Sequence, residues 1–353
     1  MTDYREYSTS KSIVGEAISP FVLAFHLTYK CPLQCEHCCF NCNMKKSQRI
    51  HEDIVKDVLL DINKVKSIKY VAFTGGEPFL YGIQPLAEMV NKAKAGGKTT
   101  RIITSGFWAG VDLYAENVLD ILAKAGLDEL SLSYDDYHAK YVPHHNLINI
   151  VKFSLDKGIK LFISTTTTEN NIINKKFIID ILNKEIKDIT GIIIEETGLA
   201  HTGRASKLQE KVCTDRYIGP CPFVLRHPTI TPSLRVLPCC GTLPYHKHHE
   251  IGNLKKDSIS NIIEQSYNSL FFKWLAFEGP VKLIERVNKA FDTQYTSAHS
   301  SICDACNYIY SANGVYADIQ KYVSSNPQVV SIEEMVLQSL NKYSGPSEWF
   351  ATL

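Results

Sequence analysis

Three cysteines, Cys31, Cys35 and Cys38, stand in a C-x3-C-x2-C run directly behind an apolar, strand-like segment. Thiolates spaced this closely suit an iron–sulfur cluster, whose cubane form normally takes four cysteine ligands. A single tight loop supplies only three of them. One iron is then left without a local protein ligand, and a small molecule can bind there and receive an electron. Zinc is the competing reading. It wants a fourth ligand close by, and His37, Cys39 or Cys42 could offer one. Further along, Lys69–Phe73 reads as a buried strand that runs into Thr74-Gly75-Gly76-Glu77-Pro78. Glycines at a strand's end let backbone approach a ligand closely. Glu77 adds an acceptor for a ligand ammonium, and Pro78 stiffens the loop behind it.

The C-terminal half carries Cys213, Cys221, Cys239, Cys240, Cys303 and Cys306. The Cys303–Cys306 pair has the C-x2-C spacing shared by zinc ribbons and cluster sites. Cys239 and Cys240 are consecutive. Neighbours on an extended strand point to opposite faces, so one of the two can hold a metal while the other remains a free thiol. A buried thiol with no chemistry is the plain alternative. Cys39 and Cys42 follow the first triad and could shield a cluster or tune it. The run His246, His248, His249 is expected to be a solvated loop, with hydrogen bonds to substrate as the alternative.

The elements that must position these residues alternate between strand and helix from residue 20 to about 195. Strands are expected at Phe21–Leu27, Lys69–Phe73, Thr99–Thr104, Glu129–Ser133, Lys160–Ser164 and Gly191–Glu195. Between them, helical periodicity runs through Ile54–Val65, Ile83–Ala95, Leu113–Lys124, Leu147–Asp156 and Phe177–Ile186, often ended by glycine. Such a series predicts an α/β fold with a parallel sheet covered by helices. Periodicity does not separate an open sheet from a partial barrel. Polar residues at the strand ends, Ser105, Ser133 and Asp135, are candidate ligand contacts or helix caps. Past residue 205 the pattern changes to a segment rich in Pro, Gly, Cys and His. Helical patterning returns at Ile259–Phe277 and Ile332–Leu340. The expected divisions are an N-terminal segment 1–19, a barrel 20–205 and a cysteine-rich region 206–353.

The cysteine triad together with Gly75-Gly76-Glu77-Pro78 resembles the radical S-adenosylmethionine (SAM) superfamily. That resemblance implies a (β/α)6 partial TIM barrel with its active site at the C-terminal ends of the strands. It implies a [4Fe-4S] cluster on Cys31, Cys35 and Cys38, with SAM chelating the fourth iron. Gly75, Gly76, Glu77 and Pro78 would then hold the methionine amine, and His37 would stack near the adenine. Ser105 stands where the superfamily often has asparagine. Ser105, Ser133 and Asp135 would contact ribose or substrate. Arg204, in Gly203-Arg204-Ala205, would pair with the SAM carboxylate, for which its forked guanidinium is suited; a plain surface arginine is the alternative.

The wording Thr229–Cys240, then Ile251-Gly252-Asn253-Leu254 and Cys303–Cys306, resembles the auxiliary-cluster extension (SPASM or twitch type) of many peptide-modifying members. This implies an auxiliary [4Fe-4S] cluster on Cys221, Cys239, Cys303 and Cys306. Cys240 could substitute for Cys239, and Cys213 for Cys221; a structural zinc is the alternative occupant. The combination is similar to the radical SAM peptidyl epimerases, which implies Cys240 as a hydrogen-atom donor. The expected function is inversion of L- to D-residues in a ribosomally synthesised precursor peptide, with electrons from a flavodoxin or ferredoxin. An oxidative cyclase forming a thioether or carbon–carbon cross-link is the runner-up. A non-catalytic zinc protein is the reading from another class; it leaves Gly75-Gly76-Glu77-Pro78 unexplained.

Bulk composition agrees with these classes. The 353 residues are 44% hydrophobic and 21% charged, as in ordinary globular proteins. Lys plus Arg number 38 against 37 Asp plus Glu, so no global field draws nucleic acid. No apolar run reaches the length of a membrane span, and Met1–Glu16 lacks an apolar signal core. A cytoplasmic chain is expected, in which 11 cysteines serve as metal or redox ligands and not as a disulfide framework. No leader-binding module of the usual kind is expected, Met1–Pro20 being short for one.

Overall fold

The computed structural model describes residues 20–208, 219–299 and 301–329. The 1–19 segment, Cys213 and the helix expected at 332–340 lie outside the described residues. Six parallel strands stand in sequential order: β1 (Val22–Thr28), β2 (Tyr70–Gly75), β3 (Thr99–Thr104), β4 (Glu129–Ser133), β5 (Lys160–Thr167) and β6 (Ile192–Gly198). Every residue of β1 is buried, which explains its unbroken apolar run, since a central strand covered on both faces shows no alternation.

Helices α1 (Glu52–Asp61), α2 (Ile83–Ala95), α3 (Asp112–Ala125), α4 (Asp136–Ala139), α5 (His144–Asp156) and α6 (Lys175–Glu185) fill the crossovers. Their inward stripes pack on the sheet. On α2 these are Leu86, Met89 and Val90, all fully buried, and each such side chain is worth roughly 1.5–3 kcal/mol of burial. Gly126 ends α3 in the left-handed region at φ 94°, a conformation glycine adopts without a Cβ clash. The arrangement is the (β/α)6 partial barrel, and the strands deliver their C-terminal ends to one rim.

The chain beyond the barrel continues the same sheet. β7 (Thr229–Ile230) pairs in parallel with the free side of β1, through Ala24 to Thr229 and Phe25 to Ile230. β8 (Arg235–Leu237) and β9 (Gly252–Asn253) then add on antiparallel. Among the described residues five helices follow: α7 (Ile259–Ser266), α8 (Leu270–Phe277), α9 (Pro280–Phe291), α10 (Ile302–Ser311) and α11 (Val315–Ser325). The helix expected across Ile259–Phe277 is in fact two. Ser269 breaks it by capping the Phe272 amide, the position for which a short hydroxyl side chain is best suited. Trp274, Phe271, Leu283, Ile284 and Ile309 form a second core, and it takes in Cys239 and Cys306. Among the described residues, no helix is long and apolar enough to cross a membrane.

Candidate active site

The strand ends open into one cavity of about 280 Å³. Cys31, Cys35 and Cys38 line it from the loop after β1, Gly75 and Gly76 from β2, Ser105 from β3, Ser133 from β4, and Arg204 from the turn after β6. The first two of these loops are locked together by backbone. Gly76 donates to Thr28 O at 2.6 Å and Glu77 N to Lys30 O at 2.9 Å. A Cβ on Gly76 would stand 2.3 Å from the Lys30 carbonyl oxygen, so the close approach requires glycine.

Glu77 does not present its carboxylate to the cavity as an open acceptor. It is fully buried, and its two oxygens accept from Phe79 N (3.2 Å), Thr104 Oγ1 (2.8 Å), Ser105 N (3.0 Å) and Ser105 Oγ (2.6 Å). Burial raises its pKa against these bonds. The side chain ties β2's end to β3's end, and what faces the cavity from this segment is the glycine backbone. Ser105 spends its hydroxyl on Glu77, while Ser133 lines the cavity.

Asp135 caps α4, accepting from Tyr137 N and His138 N at 3.0 Å each. It also meets His138 Nδ1 at 2.8 Å and His37 Nε2 at 3.4 Å. Burial opposes its charge, but the His138 charge and hydrogen bond, joined by those of His37, outweigh burial and hold Asp135 well below the carboxylate range. Burial likewise opposes the charge of His138, and Asp135 reverses this, so the His138 pKa is raised. His37 stacks on Tyr137 at 4.4 Å between ring centroids, and its Nδ1 is buried without a hydrogen-bond partner.

Arg204 clamps the cysteine loop. Its backbone N donates to Cys38 O (3.0 Å), Nε to Cys35 O (2.8 Å) and Nη1 to Cys42 O (2.7 Å). Nη2 is buried and unpartnered in the cavity wall. Burial, with Glu77 nearby, pushes the Cys31 thiol up to about 12, and burial pushes Cys35 up as well. Cys42 donates to Cys38 and lowers it. Two buried thiols that resist ionisation need a cation to become ligands, and an unpaired guanidinium N–H beside them suits an anionic group. These residues fit a cluster and the carboxylate of SAM.

The thiols stand wider apart than ligands already gathered around zinc would. Tetrahedral Zn–S bonds near 2.3 Å bring sulfurs within about 3.8 Å of one another. Among the described residues, no three cysteines bring their sulfurs within 4.8 Å; the group that meets that limit is His37, Asp135 and His138. A cubane, whose corners carry separate irons, spreads its thiolates more widely.

The second cysteine set gathers from three places. Cys221 is anchored by its N–H to Leu275 O at 2.9 Å. Cys303 and Cys306 stand one turn apart on one face of α10. Cys239 and Cys240 follow β8. Behind burial, the charges of Cys221, Cys303 and Cys240 raise the Cys306 pKa. The expectation that Cys239 and Cys240 alternate as neighbours on an extended strand is corrected here. The pair lies in a bend beyond the strand, where Gly241 turns the chain at φ 88°, so strand alternation does not apply. The two cysteine sets share a wall. Thr242 lines the first cavity and donates to Cys303 Sγ at 3.4 Å. Burial first, and then the charges of Cys38, Cys240 and Cys303, raise the Cys39 pKa.

The histidine run is not a solvated loop. His246 bonds Asn307 at 2.8 Å and stacks on Tyr310. His248 stacks on Tyr316 at 4.7 Å, and His249 is 2% exposed. The tyrosine-rich faces of α10 and α11 give each ring a partner, which a scan for solvated polar runs does not anticipate. Sequence reasoning also missed His138 and Thr242. Thr104 was visible as the polar last residue of β3, but its bond to Glu77 was not.

Strand-end cysteines, a glycine shelf and a partial barrel define a radical SAM domain. The radical SAM superfamily model matches residues 25–193, and this chain carries that domain. The peptide biosynthesis protein YydG of Bacillus subtilis is 23% identical over 335 residues, 87% of this chain and 98% of that protein. The PqqA peptide cyclase of Gluconobacter oxydans is 30% identical over 117 residues, 33% of this chain and 31% of the cyclase. Among solved structures, Streptococcus suis SuiB bound to precursor peptide SuiA superposes with a TM-score of 0.54 at 15% identity, over 69% of this chain and 64% of SuiB. The match thus spans less than two thirds of SuiB. Native anSMEcpe with bound AdoMet and Kp18Cys peptide superposes with a TM-score of 0.53 at 12% identity, over 89% and 99% of the two chains. At these identities the likeness is one of fold.

Proposed function

We propose that this chain modifies a ribosomally synthesised peptide by radical SAM chemistry, and that the modification is inversion of an L-residue to its D-form with Cys240 as hydrogen-atom donor. Peptide modification is supported by what the relatives' names state: peptide biosynthesis, peptide cyclisation, and a precursor peptide seated on SuiB. The observation that carries the finer reading is the shared wall: Thr242, two residues beyond Cys240, lines the first cavity and donates to Cys303 Sγ at 3.4 Å.

Cys31, Cys35 and Cys38 would hold the first cluster, and Cys221, Cys239, Cys303 and Cys306 an auxiliary one. When bound, the first cluster and SAM supply one-electron chemistry able to remove a hydrogen atom from an unactivated carbon. The chain's own residues prepare the site for it. The Gly75-Gly76 backbone offers carbonyls to an ammonium, and Glu77 braces that shelf against Ser105. Arg204 Nη2 is placed for a carboxylate, and His37 offers a ring face. Cys240 then returns a hydrogen atom to the substrate carbon from the opposite side. The Cys240 sulfur, left one electron and one proton short, is restored by an external donor of the flavodoxin or ferredoxin type and by solvent.

The test is incubation with SAM, reductant and precursor peptide in D2O. Inversion places one deuterium at each inverted residue and leaves the mass otherwise unchanged. Cys240→Ala should still cleave SAM but yield no inverted residue, and normal inversion by that variant would refute the donor role. The likeness to PqqA peptide cyclase over a third of the chain favours a second reading, oxidative cross-linking, in which the product loses a pair of hydrogens and gains no deuterium. Counting iron in wild type and in a Cys31/Cys35/Cys38→Ala variant settles the auxiliary site: one cluster's worth should remain in the variant.

A further inference from the structure

Five cysteines surround the second site, and one of them has a partner unlike the others. His249, a residue of the loop after β8, places its Nε2 3.2 Å from Cys239 Sγ. Its Nδ1 lies 2.9 Å from the Tyr310 hydroxyl, and its backbone N–H is held by His246 O at 3.2 Å. The ring is buried, with Phe272 packed edge-on at 6.3 Å. Tyr310 stands on α10, the helix that carries Cys303 and Cys306. The imidazole therefore joins two of the segments that bring cysteines to the site.

We propose that His249 is a positioning residue for the auxiliary cluster proposed above, donating a hydrogen bond to the Cys239 sulfur and so setting the potential at which that cluster takes an electron. A neutral imidazole has one N–H and one lone pair. A metal-bound thiolate has no proton to give, so Nε2 must be the donor and Nδ1 the acceptor. Tyr310 fixes that tautomer by donating its hydroxyl to Nδ1. Adding an electron to a thiolate-ligated cluster puts more negative charge on its sulfurs, and an N–H donor stabilises that charge. Reduction is thereby favoured.

The test uses the Cys31/Cys35/Cys38→Ala background, in which the auxiliary cluster alone would remain, and follows its reduction by electron paramagnetic resonance at fixed potentials. His249→Phe keeps a flat ring in the pocket and removes both nitrogens. The expected result is about a tenfold fall in the reduced-to-oxidised ratio, about 59 mV for a one-electron couple. Tyr310→Phe should move the ratio in the same direction by less. It also decides the matter if His249→Phe does not hold the cluster. A cluster whose potential is unmoved in both variants overturns the role of His249. Strong coupling to a directly bound nitrogen in the unsubstituted background would make His249 an iron ligand, and would overturn it too. Absence of iron from that background instead overturns the auxiliary cluster itself, a separate and recognisable outcome.

Discussion

Replacing Arg204 with methionine keeps a long unbranched stem and removes the guanidinium. Two hydrogen bonds to the cysteine loop are lost, Nε to Cys35 O at 2.8 Å and Nη1 to Cys42 O at 2.7 Å, while the backbone bond to Cys38 O at 3.0 Å survives. Hydrogen bonds from a charged donor contribute about 1.5–3 kcal/mol each, so the pair contributes about 3–6 kcal/mol if nothing replaces it. The loop borders an open cavity, where water can satisfy the released carbonyls, and the lower end, about 3 kcal/mol, is expected. That corresponds to about a hundredfold in the equilibrium between the ordered and the opened loop. The assay is release of iron from the first site to a chelator, without SAM, in a variant lacking the auxiliary cysteines. Arg204→Met should release iron about a hundredfold faster, provided loop opening precedes release. If the release rate matches wild type and only SAM affinity falls, the clamp is refuted. Arg204 would then be a carboxylate partner and nothing more.

Gly76→Ala forces a Cβ to within 2.3 Å of the Lys30 carbonyl oxygen. This overpacking should destabilise the chain by about 1–3 kcal/mol and weaken SAM binding, as read by thermal unfolding and titration calorimetry. The pH dependence follows from Asp135 and His138. The depressed Asp135 contributes stability above the ordinary carboxylate pKa near 3.9, lost as pH falls through its lowered value. The raised His138 contributes below the ordinary histidine pKa near 6.5, lost as pH rises through its raised value. The pair is therefore strongest between about pH 4 and 6.5, and Asp135→Asn should flatten the fall in Tm between pH 6.5 and 9; an unchanged slope would exclude the pair as its source. With the proposed auxiliary cluster in place, stripping iron should loosen the second core around Cys239 and Cys306, because ligand binding and folding are coupled at such sites. Faster proteolysis within residues 302–311 of the stripped protein is the expected sign.

The barrel was legible because its signals are local. Thr99–Thr104 and Glu129–Ser133 match the expected strands end to end, as Ile83–Ala95 matches its helix. There, alternation, helical period and terminal glycines agree with one another. The region past residue 205 was legible in its cysteines but not in its elements. β7, β8 and β9 are two or three residues long, too short to carry a period. They exist because β1 offers a free edge, which is a tertiary fact. The same reason accounts for the misjudged side chains. Glu77 in a glycine loop reads as an open carboxylate until Thr104 and Ser105, brought alongside by β3, occupy both of its oxygens. Arg204 reads as a ligand contact alone until the loop carbonyls of Cys35 and Cys42 are found against its Nε and Nη1, which gives it a second role. Residue type and spacing indicate a site's chemistry, whereas a polar group's partners depend on non-local pairing.

The position of β1 between β2 and β7 has a consequence for how the protein is made. Chains emerge from the ribosome N-terminus first, and folding follows that order. Of the residues that shape the first cysteine site, the triad, Glu77, Ser105 and Arg204 have been synthesised before Cys221 appears, and Thr242 follows later. The first site can therefore form and take iron while the second does not yet exist. During that interval one edge of β1 lacks its neighbour, and an uncovered buried strand is a template for association with other chains. Thr229 and Ile230 close it. The short strand β7 thus acts as a late seal on the newborn barrel, and the pace of translation across residues 205–230 sets how long the barrel remains unsealed.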